Sequence, residues 1–211
     1  MKSNIMIVVF LYKYNRKLLI FFTFTNNILI FLCYHYKYYL RGVDIMLEKV
    51  LAHDELILIK INKGLRCSLF NFLMPKATYL GSIQFCVCIS IISIFVVKSP
   101  LKIILPLIVS ALICNLIKFI VGRTRPFLVI KDLYINKIGI DKYSFPSGHT
   151  TAAFSLATSF CFLIPHLSIL FVLLALIVAF SRLYLGVHYV TDVSIGMIIG
   201  VLINFLININ M

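Results

Sequence analysis

Five apolar runs, residues 81–97, 101–121, 148–164, 167–184 and 190–209, constrain this chain more than any other feature. Each falls within the roughly 17–25 residues that a helix needs to cross a bilayer. Each is apolar nearly all round, so none keeps the polar face that a soluble helix turns to water. Composition points the same way: 62% of the residues are hydrophobic and 13% charged, against about 45–50% and 25% in ordinary globular chains. Lipid rather than a packed interior then covers the apolar surface. The expected fold class is all-α: a polytopic membrane helical bundle with about five core transmembrane helices.

The connections are short except for one. Lys98-Ser99-Pro100-Leu101-Lys102 and Pro165-His166 read as turns, whereas residues 122–146 form a polar segment with Arg123, Arg125, Lys131, Asp132, Lys137, Asp141 and Lys142. Upstream, residues 47–78 mix charges with leucines and isoleucines and no stretch is clean enough to span. They read as amphipathic helices at the interface. The division that follows is an interfacial segment over 46–80 and a helical bundle over 81–211.

Residues 1–45 stand apart. The apolar stretch 18–33 carries Asn26-Asn27 in its middle, and six of the eleven tyrosines crowd into positions 12–39. This segment is a candidate extra N-terminal span with aromatic and basic flanks. The alternative is an upstream extension ahead of a start at Met46, since Arg41 to Ile45 can be encoded by a purine-rich ribosome-binding stretch.

Twenty Lys and Arg against seven Asp and Glu give a formal charge of +13. In a soluble chain that balance would suggest nucleic acid. Here most basic residues flank apolar runs, where topology and anionic lipid explain them, and nucleic acid is not an expected partner. The six cysteines lie mostly inside the runs without paired spacing, so they read as small hydrophobes.

Following the chain back and forth across the membrane brings Lys118, Arg123, Arg125, Ser147, His149, Arg182, His188 and Asp192 to one face. The opposite turns hold only Lys98, Lys102 and His166. Ionisable groups at membrane depth are costly, and such convergence reads as a site. Lys118 and Arg125 are seven apart and share a face if the helix persists that far. With Arg182 they supply fixed cations for phosphate oxygens. Ser147 is a candidate N-cap, and Gly148 lets the helix N-terminus approach an anion closely. His188 and Asp192 are four apart, so the carboxylate can orient the imidazole as a nucleophile, leaving His149 as general acid.

Several of these residues have a plainer reading. Asp192 can merely cap the last helix, and Arg123 can be a topology charge. His35, His53 and His166 read as structural, and Asn115 as a buried contact between helices.

Lys118 with Arg125-Pro126, then Pro146-Ser147-Gly148-His149, then Ser181-Arg182 with His188 and Asp192, resemble the three-part signature of the type 2 phosphatidic acid phosphatase superfamily. These are membrane lipid phosphatases related to vanadium haloperoxidases. All three motifs match in order. The likeness runs from about residue 47 to 209, including Ile61 to Arg66 and Leu80 to Ser82, which look like the short bacterial members.

The resemblance implies an enzyme in which His188 attacks phosphorus and forms a phosphohistidine. Asp192 orients His188, and His149 protonates the leaving oxygen. Lys118, Arg125, Ser147, Gly148 and Arg182 bind the phosphate. No metal or other cofactor is implied. The expected substrate is undecaprenyl diphosphate, the cell-wall lipid carrier, with phosphatidylglycerophosphate and phosphatidic acid as rivals. A non-catalytic transporter or partner-binding subunit on the same fold is the alternative of another class. Lys98 and Lys102, in a turn without acids, favour that end as cytoplasmic and an extracytoplasmic site in a bacterial plasma membrane.

Overall fold

The computed structural model describes residues 48–136 and 141–211. The chain divides into two compact units, Met1–Leu51 and Ala52–Met211. The first lies almost wholly outside the described residues, as do the candidate span at 18–33 and the candidate start at Met46. Every regular element among the described residues is helical, in line with the expected class.

Helix α1 covers residues 48–64. Its buried stripe, Asp54, Leu58 and Asn62, recurs every four residues on one side. Then come α2 (Ser68–Ala77), a 3-10 turn (Thr78–Gly81) and α3 (Ile83–Val96). The sequence suggests an interfacial segment ending near residue 80 and a separate span after it. In the structure the two stretches form one pair bent by 51°, a broken span or a re-entrant loop. The bend has a local cause. A Cβ on Gly81 would lie 2.4 Å from the His149 carbonyl oxygen, so the chain presses against another helix there. Ser82 then restarts the helix by accepting from the Phe85 amide at 3.2 Å.

The remaining helices are α4 (Leu101–Val121), α5 (Pro126–Val129), α6 (Gly148–Leu163), α7 (Ser168–Tyr184) and α8 (Val190–Ile209). Among the described residues three stretches are long and apolar enough to cross a membrane: Leu101–Val129, Pro165–Tyr184 and Val190–Ile209. The expected run at 148–164 becomes α6, whose 16 residues extend only about 24 Å, short of the roughly 30 Å hydrocarbon core. It does not need lipid-facing flanks, because it is the central helix, packed on α8, α7 and α4. Its buried residues are mostly small or hydroxylated, Thr150, Thr151, Ala153, Ser155, Ala157 and Ser159, with Phe154 and Leu156 beside them.

α8 meets α6 along a seam of residues four apart. A Cβ on Gly196 would lie 2.7 Å from the Ser147 carbonyl oxygen, and one on Gly200 2.5 Å from that of Thr151. Both glycines therefore let the backbones touch. One turn on, Asn204 donates to the Ser155 carbonyl at 2.7 Å and to the Ser159 hydroxyl at 2.6 Å. Asn208 donates to the Lys102 carbonyl at 3.1 Å. These bonds satisfy polar groups where no water competes. Asn115, expected at a buried contact, is exposed. Ser110, Cys114 and Lys118 take the inner face of α4 instead.

Candidate active site

Lys118 sits in the last turn of α4 at 7% exposure, while its neighbour Phe119 is 82% exposed. Charge inward and ring outward is the reverse of a soluble helix, and a buried ammonium requires partners. Its ion-pair partner is Asp141, and a Cβ on Gly148 would lie 3.7 Å from its Nζ. The cation thus stands over the first turn of α6.

Arg125 does not share a helix with Lys118. Gly122 adopts the left-handed conformation (φ 60°) and its amide closes α4 onto the Lys118 carbonyl at 2.9 Å. The chain then turns, and Arg125 stands in extended conformation before Pro126 opens α5. The two cations nevertheless converge. Arg125 is buried, pairs with the Asp141 carboxylate, and donates to the Asp141 carbonyl at 2.8 Å and the Val187 carbonyl at 2.8 Å. Its Nη1 lies 3.3 Å from His188 Nε2.

His188 occupies the short link between α7 and α8. Its Nδ1 faces Asp192 Oδ2 at 3.5 Å, longer than an ordinary hydrogen bond, as is common in catalytic pairs before substrate arrives. Asp192 also accepts from the Tyr189 amide at 2.8 Å, so it caps α8 and faces the imidazole at once. A proton on Nδ1, towards the carboxylate, leaves the Nε2 lone pair towards Arg125. Burial pushes His188 well below its ordinary value, and Arg182, Arg125 and Lys118 push it further, which favours the neutral ring.

The motif around Ser147 forms the third wall. The Ser147 hydroxyl caps α6, accepting from the Thr150 hydroxyl at 2.9 Å and the Thr150 amide at 3.4 Å, which leaves its own O–H to donate. Its amide is held by the Asp192 carbonyl at 2.9 Å, which ties this turn to α8. His149 follows in the first turn of α6, within electrostatic reach of Arg182, His188 and Lys118. Arg182, fully buried near the end of α7, donates to the Thr78 hydroxyl at 2.7 Å. All eight expected residues therefore lie at one end of the bundle, in an arrangement suited to an anion with tetrahedral oxygens.

Residues 99–210, 112 of the 211, match the PAP2 superfamily. The chain belongs to this superfamily. Among curated PAP2 relatives, the undecaprenyl-diphosphatase of Sulfolobus acidocaldarius is 30% identical over 110 residues, covering 52% of this chain and 53% of that protein. The chain thus spans about half the length of that relative. Two PAP2 structures share the fold. The crystal structure of Aquifex aeolicus LpxE has a TM-score of 0.67 at 25% identity, covering 74% of this chain and 93% of that one. That of the transmembrane PAP2 type phosphatidylglycerolphosphate phosphatase from Bacillus subtilis scores 0.63 at 29% identity, covering 76% and 85%.

Two side chains beside the candidate site escaped the sequence reading, and a third, Arg123, was left open by it. Asp141 stands in the polar connection with no spacing that marks it, yet its carboxylate bridges Lys118 and Arg125. Burial alone would raise that carboxyl, but the hydrogen bonds and charges of Lys118 and Arg125 outweigh it and hold it below the usual carboxylate range. Thr78 fixes Arg182 from a turn 104 residues earlier. Arg123, open between topology and function, is engaged on every side by groups described below. Only for Arg123 was there a signal, its position beside a motif arginine.

Proposed function

We propose that this protein is an integral-membrane lipid phosphatase working through a phosphohistidine, with undecaprenyl diphosphate as substrate. One observation carries the reading: His188 sets Nε2 3.3 Å from the buried Arg125 guanidinium, with buried Arg182 and Lys118 in electrostatic reach, while Nδ1 faces Asp192. The Nε2 lone pair attacks phosphorus, the bond to the leaving oxygen breaks, and His149 gives that oxygen its proton. Water, losing a proton to His149, then attacks the phosphohistidine, releasing phosphate and restoring His188. The three cations, the Ser147 hydroxyl and the Gly148 amide hold the oxygens, where charge builds in the transition state. Asp192 keeps His188 in the productive tautomer.

Of the relatives, the one named undecaprenyl-diphosphatase supports the choice of lipid. The Bacillus subtilis phosphatidylglycerolphosphate phosphatase supports the rival. The Lys98–Lys102 turn, at the opposite end of α4 from Lys118, supports a cytoplasmic assignment for that end by the positive-inside rule. The site would then face outward from a bacterial plasma membrane. Phosphate release by the purified protein, with a chelator present, is measured on undecaprenyl diphosphate and on phosphatidylglycerophosphate. Turnover of the first, lost in His188→Gln, supports the proposal. A strong preference for the second overturns the substrate, and equal activity of His188→Gln overturns the mechanism.

A further inference from the structure

Behind His188 lies a tier of charge that the reaction scheme above does not use. Arg123 occupies one of the six positions between Lys118 and Arg125, and its side chain is largely buried. Its Nη1 donates to Asp192 Oδ1 at 2.8 Å and to the Thr191 hydroxyl at 2.7 Å. Its Nη2 pairs with Asp54 Oδ2 at 2.9 Å, and the guanidinium lies 3.9 Å from the centre of the Tyr189 ring. Asp54, on α1, is buried at 3% exposure. Its Oδ1 accepts from the Thr191 amide at 2.9 Å, and its Oδ2 accepts from the Thr191 hydroxyl. It lies outside the residues 99–210 that match the superfamily.

This arrangement fixes the one carboxylate that faces the nucleophile. Asp192 Oδ1 is taken by Arg123, and Oδ2 is shared between the Tyr189 amide and the His188 side. The carboxylate plane therefore cannot rotate without breaking a charge-assisted hydrogen bond. The guanidinium is the suitable group, because its rigid fork reaches both acids at once and stacks on the tyrosine. Charge matters as well. Arg123 alone would neutralise Asp192 and weaken its hold on the imidazole proton, but Asp54 shares the guanidinium. By formal charge the set Asp54, Arg123 and Asp192 amounts to one negative charge behind His188.

We propose that Arg123 and Asp54 are positioning residues for the nucleophile, holding Asp192 in place and in charge so that His188 presents Nε2 to phosphorus. This rests on the phosphohistidine reading above. Neither residue touches the phosphate, so their loss lowers turnover without weakening substrate binding.

The test uses the full chain in detergent, with undecaprenyl diphosphate, phosphatidylglycerophosphate and phosphatidic acid as probes and the best-hydrolysed one carried forward. Asp54→Asn is expected to lower kcat by about 10- to 100-fold, the range seen when outer partners of functional histidines are removed, with KM within about twofold of wild type. In an Asp192→Asn background the same change should cost nothing further, because Asp54 acts only through Asp192. Should Asp54→Asn fail to fold, Arg123→Lys keeps the charge and loses the fork, and the same two readouts apply. Effects that multiply with Asp192→Asn, a rise in KM at unchanged kcat, or a wild-type kcat overturn the inference while leaving the phosphatase reading intact. Wild-type protein that hydrolyses none of the probes overturns the phosphatase reading, His188→Gln matching an active wild type overturns the phosphohistidine mechanism, and this inference falls with either.

Discussion

The carboxylate of Asp141 pairs with Lys118 and Arg125, so a phosphate held by those two cations, as proposed, would have to displace it. Lys118 and Arg125 have side chains 9% and 2% exposed, whereas that of Asp141 is 53% exposed. Fully exposed pairs are worth about 0.2–1 kcal/mol each, and hydrogen bonds to charged groups about 1.5–3 kcal/mol when protected from water. A half-exposed partner sits towards the lower figure, so displacement costs about 1–2 kcal/mol for the two contacts together. Asp141→Asn should therefore tighten inhibition by orthophosphate roughly 5- to 30-fold, with kcat little changed. The assay is the inhibition constant for phosphate on lipid turnover, with Asp132→Asn as a control that removes the same charge from an exposed site in the same connection. Lys118 and Arg125 hold the Asp141 carboxyl below its ordinary value. It stays charged above that depressed value, and the effect should be level from about pH 5 to 8, disappearing only as pH falls through it. Equal phosphate inhibition of Asp141→Asn and wild type, or an identical gain in Asp132→Asn, refutes the displacement argument.

Arg182→Ala removes a buried guanidinium proposed to hold the phosphate and should lower kcat by about 10²–10³-fold, or roughly 2.7–4 kcal/mol; activity near wild type would mean that Arg182 does not hold the reacting group. Vanadate, which adopts the five-coordinate geometry of the transition state, should inhibit in competition with substrate, and insensitivity counts against the phosphohistidine route. With His188 held well below the ordinary histidine value, its neutral form persists as pH falls, so the acid limb of kcat/KM should lie below about 6.5; a limb centred on the ordinary value contradicts the buried, cation-surrounded ring. Gly200→Ala would set a methyl 2.5 Å from the Thr151 carbonyl oxygen and 3.0 Å from the Ser155 amide. Neither backbone atom can yield, so a loss of about 1–3 kcal/mol is expected, read as a lower unfolding temperature in detergent; an unchanged temperature would show that the α6–α8 seam is looser than described.

Run lengths and motif spacing were enough to read the helical membrane class and to gather eight candidate residues at one end of the bundle. Apolar run lengths report directly on helices in a bilayer. Ser147 and Asp192 are legible as helix-start residues through spacing within a few residues. Local periodicity could not show where one helix meets another. α6 was legible as an apolar run, but its central place depends on Gly196 and Gly200 of α8 admitting its backbone, a contact between distant segments. The condition that one helix should join Lys118 to Arg125 is not met, because Gly122 closes α4 first, and both cations pair with Asp141 instead. Arg123 was ambiguous in sequence because its partners, Asp54 and Asp192, each lie 69 residues away. Tertiary structure decided those pairings, because a buried charge is satisfied by whichever opposite charge the packing brings within reach, and that choice leaves no period in the chain.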